Sequence, residues 1–399
     1  MKSLRSILRD RLRPHLLRWP TLWQALIRSD LLVERARHAV APVFPQVVKP
    51  DPRNLEVAIT AHCNMRCIGC RYGRDFMPGS ELPWPIVRDL LDDAKEAGFW
   101  DVRFYGGEPL LHRDLPKMVA HARDIGLSAY LTTNGSLLKQ RIDALYDAGL
   151  RTINIGYYGT GLHYDAYVQR RERFEQLETG IAYLRERYGG EIRLRINWLL
   201  MRPSCNVDAL RQAVAFAERY DAKLQVDLIH YSLPYFTEGP DRQLQFRPED
   251  RPAIEHVLDE LLRLRRSTPE RFNQSVAGMR SIPDWLVKGA DMRVPCDSHQ
   301  MMWVGADGTV QQCYVTYRLG NLHQTRLRDM LFTSQHRAFA KDSCALRCPN
   351  CHCHYEVRVQ KHLPSLLRYS LPRPNAEASA PLPSAARTLP VLPASATGD

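Results

Sequence analysis

From about residue 54 to residue 230 the chain alternates short β-rich runs with helical stretches six times over, and this alternation constrains the fold more than any other feature. The spacing predicts strands at Leu55–Thr60, Val102–Tyr105, Ala129–Thr133, Thr152–Tyr157, Leu194–Met201 and Leu224–Ile229, with helices near 84–97, 114–125, 138–148, 164–187 and 206–219 between them. Strand-helix alternation of this kind builds a parallel sheet with helices on its outer face. Six units are too few to close an eight-stranded barrel, so the expected fold class is α/β: a partial (β/α)6 barrel over residues 49–285, with its active site in the loops at the C-terminal strand ends.

The flanks differ in composition. Residues 1–48 read as a basic helical extension in which Leu4, Leu8, Leu12 and Leu16 recur every four residues opposite arginines. The expected cover for that apolar face is the catalytic domain, with an anionic lipid surface or a partner as the alternative through residues 1–40. A helix near 249–266 leads into a cysteine-rich domain over 286–362. There, Met301–Val304 and Thr309–Tyr314 flank Ala306, Asp307 and Gly308 as a β-hairpin with an Asp-Gly turn. Residues 363–399 form a tail rich in Pro, Ala and Ser, expected to be disordered because it has too little apolar content to fold.

Charge and compartment narrow the function. Over residues 1–40 nine Lys/Arg stand against three acids, a net of +6 out of the +11 of the whole chain. The excess is therefore concentrated at the N-terminus, and the remaining 359 residues, near +5, are unremarkable for a domain of that size, which argues against a nucleic-acid enzyme. No run of about 18 apolar residues occurs, and arginines interrupt the region a signal peptide would use, so a cytoplasmic protein is expected. In that compartment ten cysteines point to metal or redox chemistry rather than disulfides.

The sharpest motif is Cys63, Cys67 and Cys70 in AHCNMRCIGC, directly after the first strand. Three thiolates on one loop suit three corners of a [4Fe-4S] cube and leave one iron open; a Cys3His zinc site with His62 is the alternative. The spacing resembles the radical S-adenosylmethionine (SAM) superfamily, whose CxxxCxxC loop follows the first strand of a partial (β/α)6 barrel. The resemblance implies that Cys63, Cys67 and Cys70 hold the catalytic cluster and that SAM chelates the open iron. It further implies that SAM's reductive cleavage yields an adenosyl radical able to abstract hydrogen, with electrons from an external donor such as flavodoxin or ferredoxin. Gly106, Gly107, Glu108 and Pro109 after strand two resemble the family's GGEP motif for the SAM amino group. Thr132, Thr133, Asn134 and Gly135 after strand three stand where the family places further polar SAM contacts. Two departures stand out: Gly69 occupies the position of a usual aromatic, with Ile68 or Tyr72 as substitutes. On strand five Arg195-Ile196-Asn197-Trp198 replaces a GxIxGxxE run, which leaves Asn197 as the expected adenine-side contact.

The C-terminal cysteines Cys296, Cys313, Cys344, Cys348, Cys351 and Cys353 resemble the SPASM and twitch auxiliary-cluster extensions. That resemblance implies at least one further [4Fe-4S] cluster, with Cys296, Cys313, Cys348 and Cys351 as the leading ligands, and with Cys344 and Cys353 replacing one of these, serving a second cluster with a non-cysteine ligand, or idle. A zinc knuckle from Cys344, Cys348, Cys351 and Cys353 or His352 is the alternative. Cys205 reads as a bystander, and position nominates Tyr158, Asn197, Asp227 and His230 as facing substrate, with His230 and Tyr231 suited to proton transfer. The expected function is a radical SAM oxidoreductase or tailoring enzyme abstracting hydrogen from a small molecule such as an aminocyclitol, sugar or amino-acid derivative. The rivals are a peptide or protein maturase and, from another class, a zinc-stabilised protein that binds nucleic acid or membrane.

Overall fold

A computed structural model describes residues 19–72, 74–231 and 243–372. Helix α1 (Pro20–Val40) precedes the alternating core. In chain order the core then runs β1 (Asn54–Thr60), α2 (Trp84–Ala97), β2 (Asp101–Gly106), α3 (Leu115–Asp124), β3 (Ser128–Thr133), α4 (Leu138–Asp147) and β4 (Thr152–Tyr157). It continues through α5 (Gly161–Val168), α6 (Arg173–Tyr188), β5 (Arg193–Leu200), α7 (Val207–Arg219) and β6 (Lys223–Leu228). Beyond it lie α8 (Arg251–Ser267), α9 (Val276–Lys288), β7 (Met301–Val304), β8 (Thr309–Gln311), β9 (Arg318–Asn321), α10 (Leu327–Met330), α11 (Ser334–Cys344), α12 (Tyr355–Lys361) and α13 (Leu363–Ser370). Each of the six expected core strands forms, displaced by no more than a residue at either end.

The expected helix over 164–187 is two helices. Gln169 and Glu172 adopt left-handed backbone angles (φ 52° and 61°), and the Asp165 carboxylate accepts hydrogen bonds from the amides of Glu172 (2.6 Å), Arg173 (3.0 Å) and Phe174 (2.9 Å). A carboxylate on the opening amides of α6 satisfies donors that a continuous helix would have used internally. Breaking the helix also frees carbonyls at the end of α5, and Tyr167 and Val168 use theirs to hold the cysteine loop, as described below.

All strands belong to one sheet, ordered β6-β5-β4-β3-β2-β1-β7-β8-β9. Strands β1 to β6 are parallel, β7 adds parallel to β1, and β8 and β9 continue antiparallel. The C-terminal hairpin is thus an extension of the barrel sheet rather than a separate body. The chain also reaches the opposite edge: Tyr355 Oη donates to the Val226 carbonyl (3.1 Å), Gln274 bridges the Val226 amide and carbonyl, and His352 meets the Leu228 carbonyl (3.2 Å). Side chains thereby satisfy the open backbone edge of β6.

The two faces of the parallel sheet are unlike. Leu55, Val57 and Ile59 of β1, with Phe104, Leu131, Ile155, Ile196 and Val226, join the main core beneath the helices. The other face carries Glu56, Arg103, Tyr130, Thr132, Asn154, Arg195, Asn197, Gln225 and Asp227, which the register places in adjoining positions across the strands. A parallel sheet packed on both sides reads apolar on both; a polar inner face marks a concavity for polar ligands.

One expectation about the flanks is corrected, and one falls outside the described residues. Within α1 the side that packs inward is charged: Asp30 pairs with Arg53 (2.9 Å), and Glu34 with Arg37 (2.6 Å) and His299 (3.7 Å). The leucine repeat at residues 4–16 lies outside the described residues. Residues 363–370, expected to open a disordered tail, form α13, whose Tyr369 Oη donates to Asp284 on α9 (2.7 Å); residues 373–399 lie outside the described residues.

Candidate iron-sulfur and SAM site

The loop after β1 is held from three sides. The Arg66 and Ile68 amides donate to the Val168 and Tyr167 carbonyls (3.0 and 2.8 Å), the carbonyls released by the break after α5. The β2 end lies directly on the loop, with the Gly107 amide on the Thr60 carbonyl and the Glu108 amide on the His62 carbonyl, both at 2.8 Å. A Cβ on Gly106 would stand 2.2 Å from the Thr60 oxygen, and one on Gly107 2.2 Å from the His62 oxygen. Both glycines are therefore required by backbone packing against the cysteine loop.

On this loop Cys63 is exposed and Cys67 and Cys70 are half-buried. The Cys63 sulfur accepts from the Met65 amide (3.4 Å). Burial pushes the Cys67 thiol well up, and the neighbouring Cys70 and Cys63 add to it, so three thiolates here need a cation to share. One zinc ion would draw its ligand atoms together at about 4 Å, from Zn–S bonds of about 2.3 Å. Among the described residues the one set of three His, Cys or acidic ligand atoms within 4.8 Å of one another is His230, Cys351 and Cys353. Cys63, Cys67 and Cys70 are not such a set, as separate corners of a cluster would not be. Gly69 has φ 88°, a conformation that strains an aromatic, which gives a backbone reason for its departure from the family pattern. Ile68 packs into the main core. Tyr72 accepts from the Ala306 amide (3.3 Å) and so ties the loop to the C-terminal hairpin.

Glu108 is fully buried. Its carboxylate accepts from Thr133 Oγ1 (2.6 Å) and from the amides of Asn134 (2.8 Å) and Leu110 (2.9 Å). Burial pushes this carboxyl up to about 7, against the pull of those three donors. Asn134 Nδ2 donates to Asn64 Oδ1 (2.9 Å), and Asn64 Nδ2 donates to Ser136 Oγ (2.9 Å). The ends of β1, β2 and β3 are thereby locked into one polar network. Glu108 and Thr133 act as its struts, with their side chains engaged with the protein. Asn64 and Ser136, which sequence reasoning missed, complete it; the position of Asn64 between two cluster cysteines was the available signal.

The C-terminal cysteines assemble as a second site. Cys296, Cys313, Cys348, Cys351 and Cys353 line one pocket together with Met301, Tyr314 and His354. Arg358, fully buried, donates to the carbonyls of Pro295 (3.3 Å), Val294 and Cys351 (2.5 Å), which joins the segment bearing Cys296 to that bearing Cys351. Asn350 (φ 58°) donates to the Ala290 and Met292 carbonyls (2.8 and 2.7 Å). Cys344 is not brought to this pocket: it packs with Ala41, Val48 and Ala340 in a small apolar cluster. Cys344 therefore stands apart from the other C-terminal cysteines of the zinc-knuckle alternative. His230 is drawn in from the end of β6, its Nε2 2.9 Å from Cys353 Sγ. Cys205 packs against the main core, where burial pushes its thiol up to about 12, as suits an inert thiol.

Between the two cysteine sites lies the polar inner face. Arg103 donates to Glu56 (3.3 Å), Thr132 Oγ1 (2.8 Å) and Tyr314 Oη (3.3 Å), and Tyr130 Oη donates to Glu56 (3.1 Å). Ala58, Tyr105, Trp303 and Ala306 form the floor of a small apolar cluster that touches both Cys70 and Cys313. The buried side-chain atoms Asn154 Oδ1, Asn197 Oδ1 and Arg195 Nε have no partner within the protein. Buried polar atoms left without protein partners are expected to meet a ligand or water, so these residues fit the polar cofactor and substrate that a SAM site requires.

Comparison with known proteins follows the same division. The pattern of the radical SAM superfamily matches residues 57–199, and that of the SPASM iron-sulfur cluster-binding domain matches residues 296–352. The chain is 29% identical over 284 residues to the GTP 3',8-cyclase of Streptomyces coelicolor, covering 65% of this chain and 77% of that one. It is 36% identical over 135 residues to the GTP 3',8-cyclase of Mycobacterium marinum, of which it spans only 38%, with 32% of this chain covered. Among solved structures it resembles anSMEcpe with bound AdoMet (TM-score 0.58, 16% identity, 79% of this chain and 94% of that one). It also resembles Streptococcus suis SuiB bound to the precursor peptide SuiA (TM-score 0.56, 15% identity, 77% and 70%). A partial α/β barrel joined to a cysteine-rich extension, matched on both parts, excludes a zinc-stabilised binding protein: the chain belongs to the radical SAM superfamily, with S-adenosylmethionine and iron-sulfur clusters as its cofactors and a C-terminal SPASM-type domain.

Proposed function

We propose that this enzyme abstracts hydrogen from a polar small molecule bound on the inner face of the barrel between its two cysteine sites. The observation that carries this reading is the polar belt itself, in which Asn154, Arg195 and Asn197 hold buried atoms without protein partners. Cys63, Cys67 and Cys70 would hold the SAM-binding cluster, and Cys296, Cys313, Cys348 and Cys351 the auxiliary one; Cys353 and His230 are left as a thiol and imidazole beside the latter. Bound together, cluster and SAM supply one-electron cleavage of SAM and a carbon radical that removes a hydrogen atom.

The protein's own part is positional. The Glu108–Thr133–Asn134–Asn64 network fixes three strand ends around SAM. Asn197 and Asn154 offer amide oxygens to hydroxyl or amino groups of a ligand, and Arg195 offers Nε–H to an acceptor such as a carboxylate. Tyr314, reaching from the auxiliary domain to Arg103, screens the belt from water. Burial pushes the Asp227 carboxyl up while Gln225 donates to it (2.8 Å), so Asp227 is suited to take or give a proton when the substrate changes oxidation state.

The test is to supply reconstituted enzyme, SAM and a strong reductant with panels of aminocyclitols, sugars and amino-acid derivatives, deuterated where available, and to follow deuterium into 5'-deoxyadenosine. Transfer from one panel member, lost in Arg195→Leu with the iron content kept, is the expected result. Transfer only from peptides would establish the second reading, a peptide maturase, which draws support from the likeness to SuiB, solved with a precursor peptide.

A further inference from the structure

Helix α1 is inverted with respect to the rule that a surface helix buries its apolar stripe. Among its described side chains the buried ones are Asp30, Glu34 and His38, spaced four apart, at 5%, 2% and 2% exposure. Its outward positions include Leu22, Ile27, Leu32 and Val33, and the following turn adds Val43 and Phe44; Leu32, Val43 and Phe44 are 61%, 72% and 60% exposed. Core packing therefore does not explain why these side chains are apolar. On the inward side Asp30 pairs with Arg53 and Glu34 with His299, and these ties hold the helix in this orientation. Helix α12 packs against both α1 and α13, and Arg35 Nε on α1 donates to the Gln360 carbonyl of α12 (2.9 Å). On α13 and just beyond it Leu363, Leu367 and Leu371 are again exposed.

We propose that this layer docks peripherally on an anionic membrane surface. Charge decides the occupant. Between Trp19 and Lys49 the only acidic residues are Asp30 and Glu34, both turned inward, while Arg28 and Lys49 are exposed. The 18 residues before Trp19 add six Lys/Arg against one acid. Over 363–372 the one charged side chain is Arg368. An apolar surface flanked by cations with no outward acid suits a bilayer bearing anionic headgroups, into which apolar side chains dip while cations meet phosphate. A second copy would bring the same excess of positive charge against itself, and no described helix is long and apolar enough to cross a membrane. This contact is independent of which substrate the barrel takes.

The experiment is co-sedimentation of the anaerobically reconstituted full-length protein with phosphatidylcholine vesicles, with and without phosphatidylglycerol. The expected result is retention by the phosphatidylglycerol vesicles only, weakened by added salt, and reduced about tenfold or more in Leu32→Glu/Val43→Glu/Phe44→Glu with iron content unchanged, since three apolar side chains no longer leave water. Arg28→Gln/Lys49→Gln, which disturbs the apolar face less, should weaken binding about thirtyfold, at roughly 1 kcal/mol per cation at such a surface. Absence of binding to anionic vesicles by the unaltered protein overturns the proposal. So does equal binding by the triple variant, or a wild-type dimer that this variant turns into monomer without lipid binding by either form, which would assign the face to a second copy.

Discussion

The two cysteine sites are built by opposite means. Cys63, Cys67 and Cys70 stand within eight consecutive residues on a loop whose neighbours are the ends of adjacent strands, so their convergence follows from the chain itself. The auxiliary thiols are spread from Cys296 to Cys353 and meet only because Arg358, Asn350 and the edge contacts to β6 fold the segments together. A local site survives loss of distant contacts, whereas a gathered one depends on each buried polar tie. The same contrast explains why spacing singled out the first triad and left the choice among the later cysteines open.

That contrast can be broken most severely at the first site. Cys63→Ala/Cys67→Ala/Cys70→Ala should abolish 5'-deoxyadenosine formation while iron at the auxiliary site remains. An equal loss of iron from both sites would show that they do not assemble independently. At the second site Arg358→Met should cost about 3–5 kcal/mol, because several buried carbonyls lose their donor. Its mark would be a lower Tm together with loss of the auxiliary cluster signal in electron paramagnetic resonance; retention of both cluster signals would show that Arg358 is dispensable to the gathering.

A titration sharpens the comparison from the first site's side. Burial raises the Glu108 carboxyl from an ordinary 4.5 to about 7. Since the folded value lies above the unfolded one, its contribution is full below about pH 4.5 and is lost as pH rises through about 7. Apoprotein without SAM should therefore lose on the order of 3 kcal/mol across that window. Urea unfolding of wild type and Glu108→Gln at about pH 5 and about pH 8 measures it, and identical pH slopes would remove Glu108 from the account. The smallest effect belongs to Cys344→Ser, about 1–2 kcal/mol for a polar atom in a small apolar cluster, with the auxiliary iron count unchanged. A fall in auxiliary iron there would place Cys344 among the ligands.

Much of the fold was legible because its signals are local. Strand runs such as Thr152–Tyr157 and the helix Trp84–Ala97 stand where β-rich and helical periods placed them, and the Asp-Gly turn before Thr309 forms with Gly308 at φ 81°. The break between α5 and α6 was not legible, because helical periodicity passes through it and only Asp165 reaching the α6 amides interrupts it. Gly69 read as a departure from pattern until its backbone angle supplied the reason. Glu108 was legible as part of a motif, but its three internal donors were not, since they come from other strands.

The chain by itself determined the family's cofactor chemistry, for cluster-binding cysteines and the glycines that pack against them are set by spacing of a few residues, where the covalent chain limits what can meet. Only the tertiary structure decided that Cys344 packs away from the pocket of the other C-terminal cysteines, that His230 enters its neighbourhood, that the C-terminal hairpin extends the barrel sheet, and that α1 turns its acids inward. Each of those outcomes rests on which buried groups find partners across tens or hundreds of residues, and that pairing is settled by packing the whole chain at once.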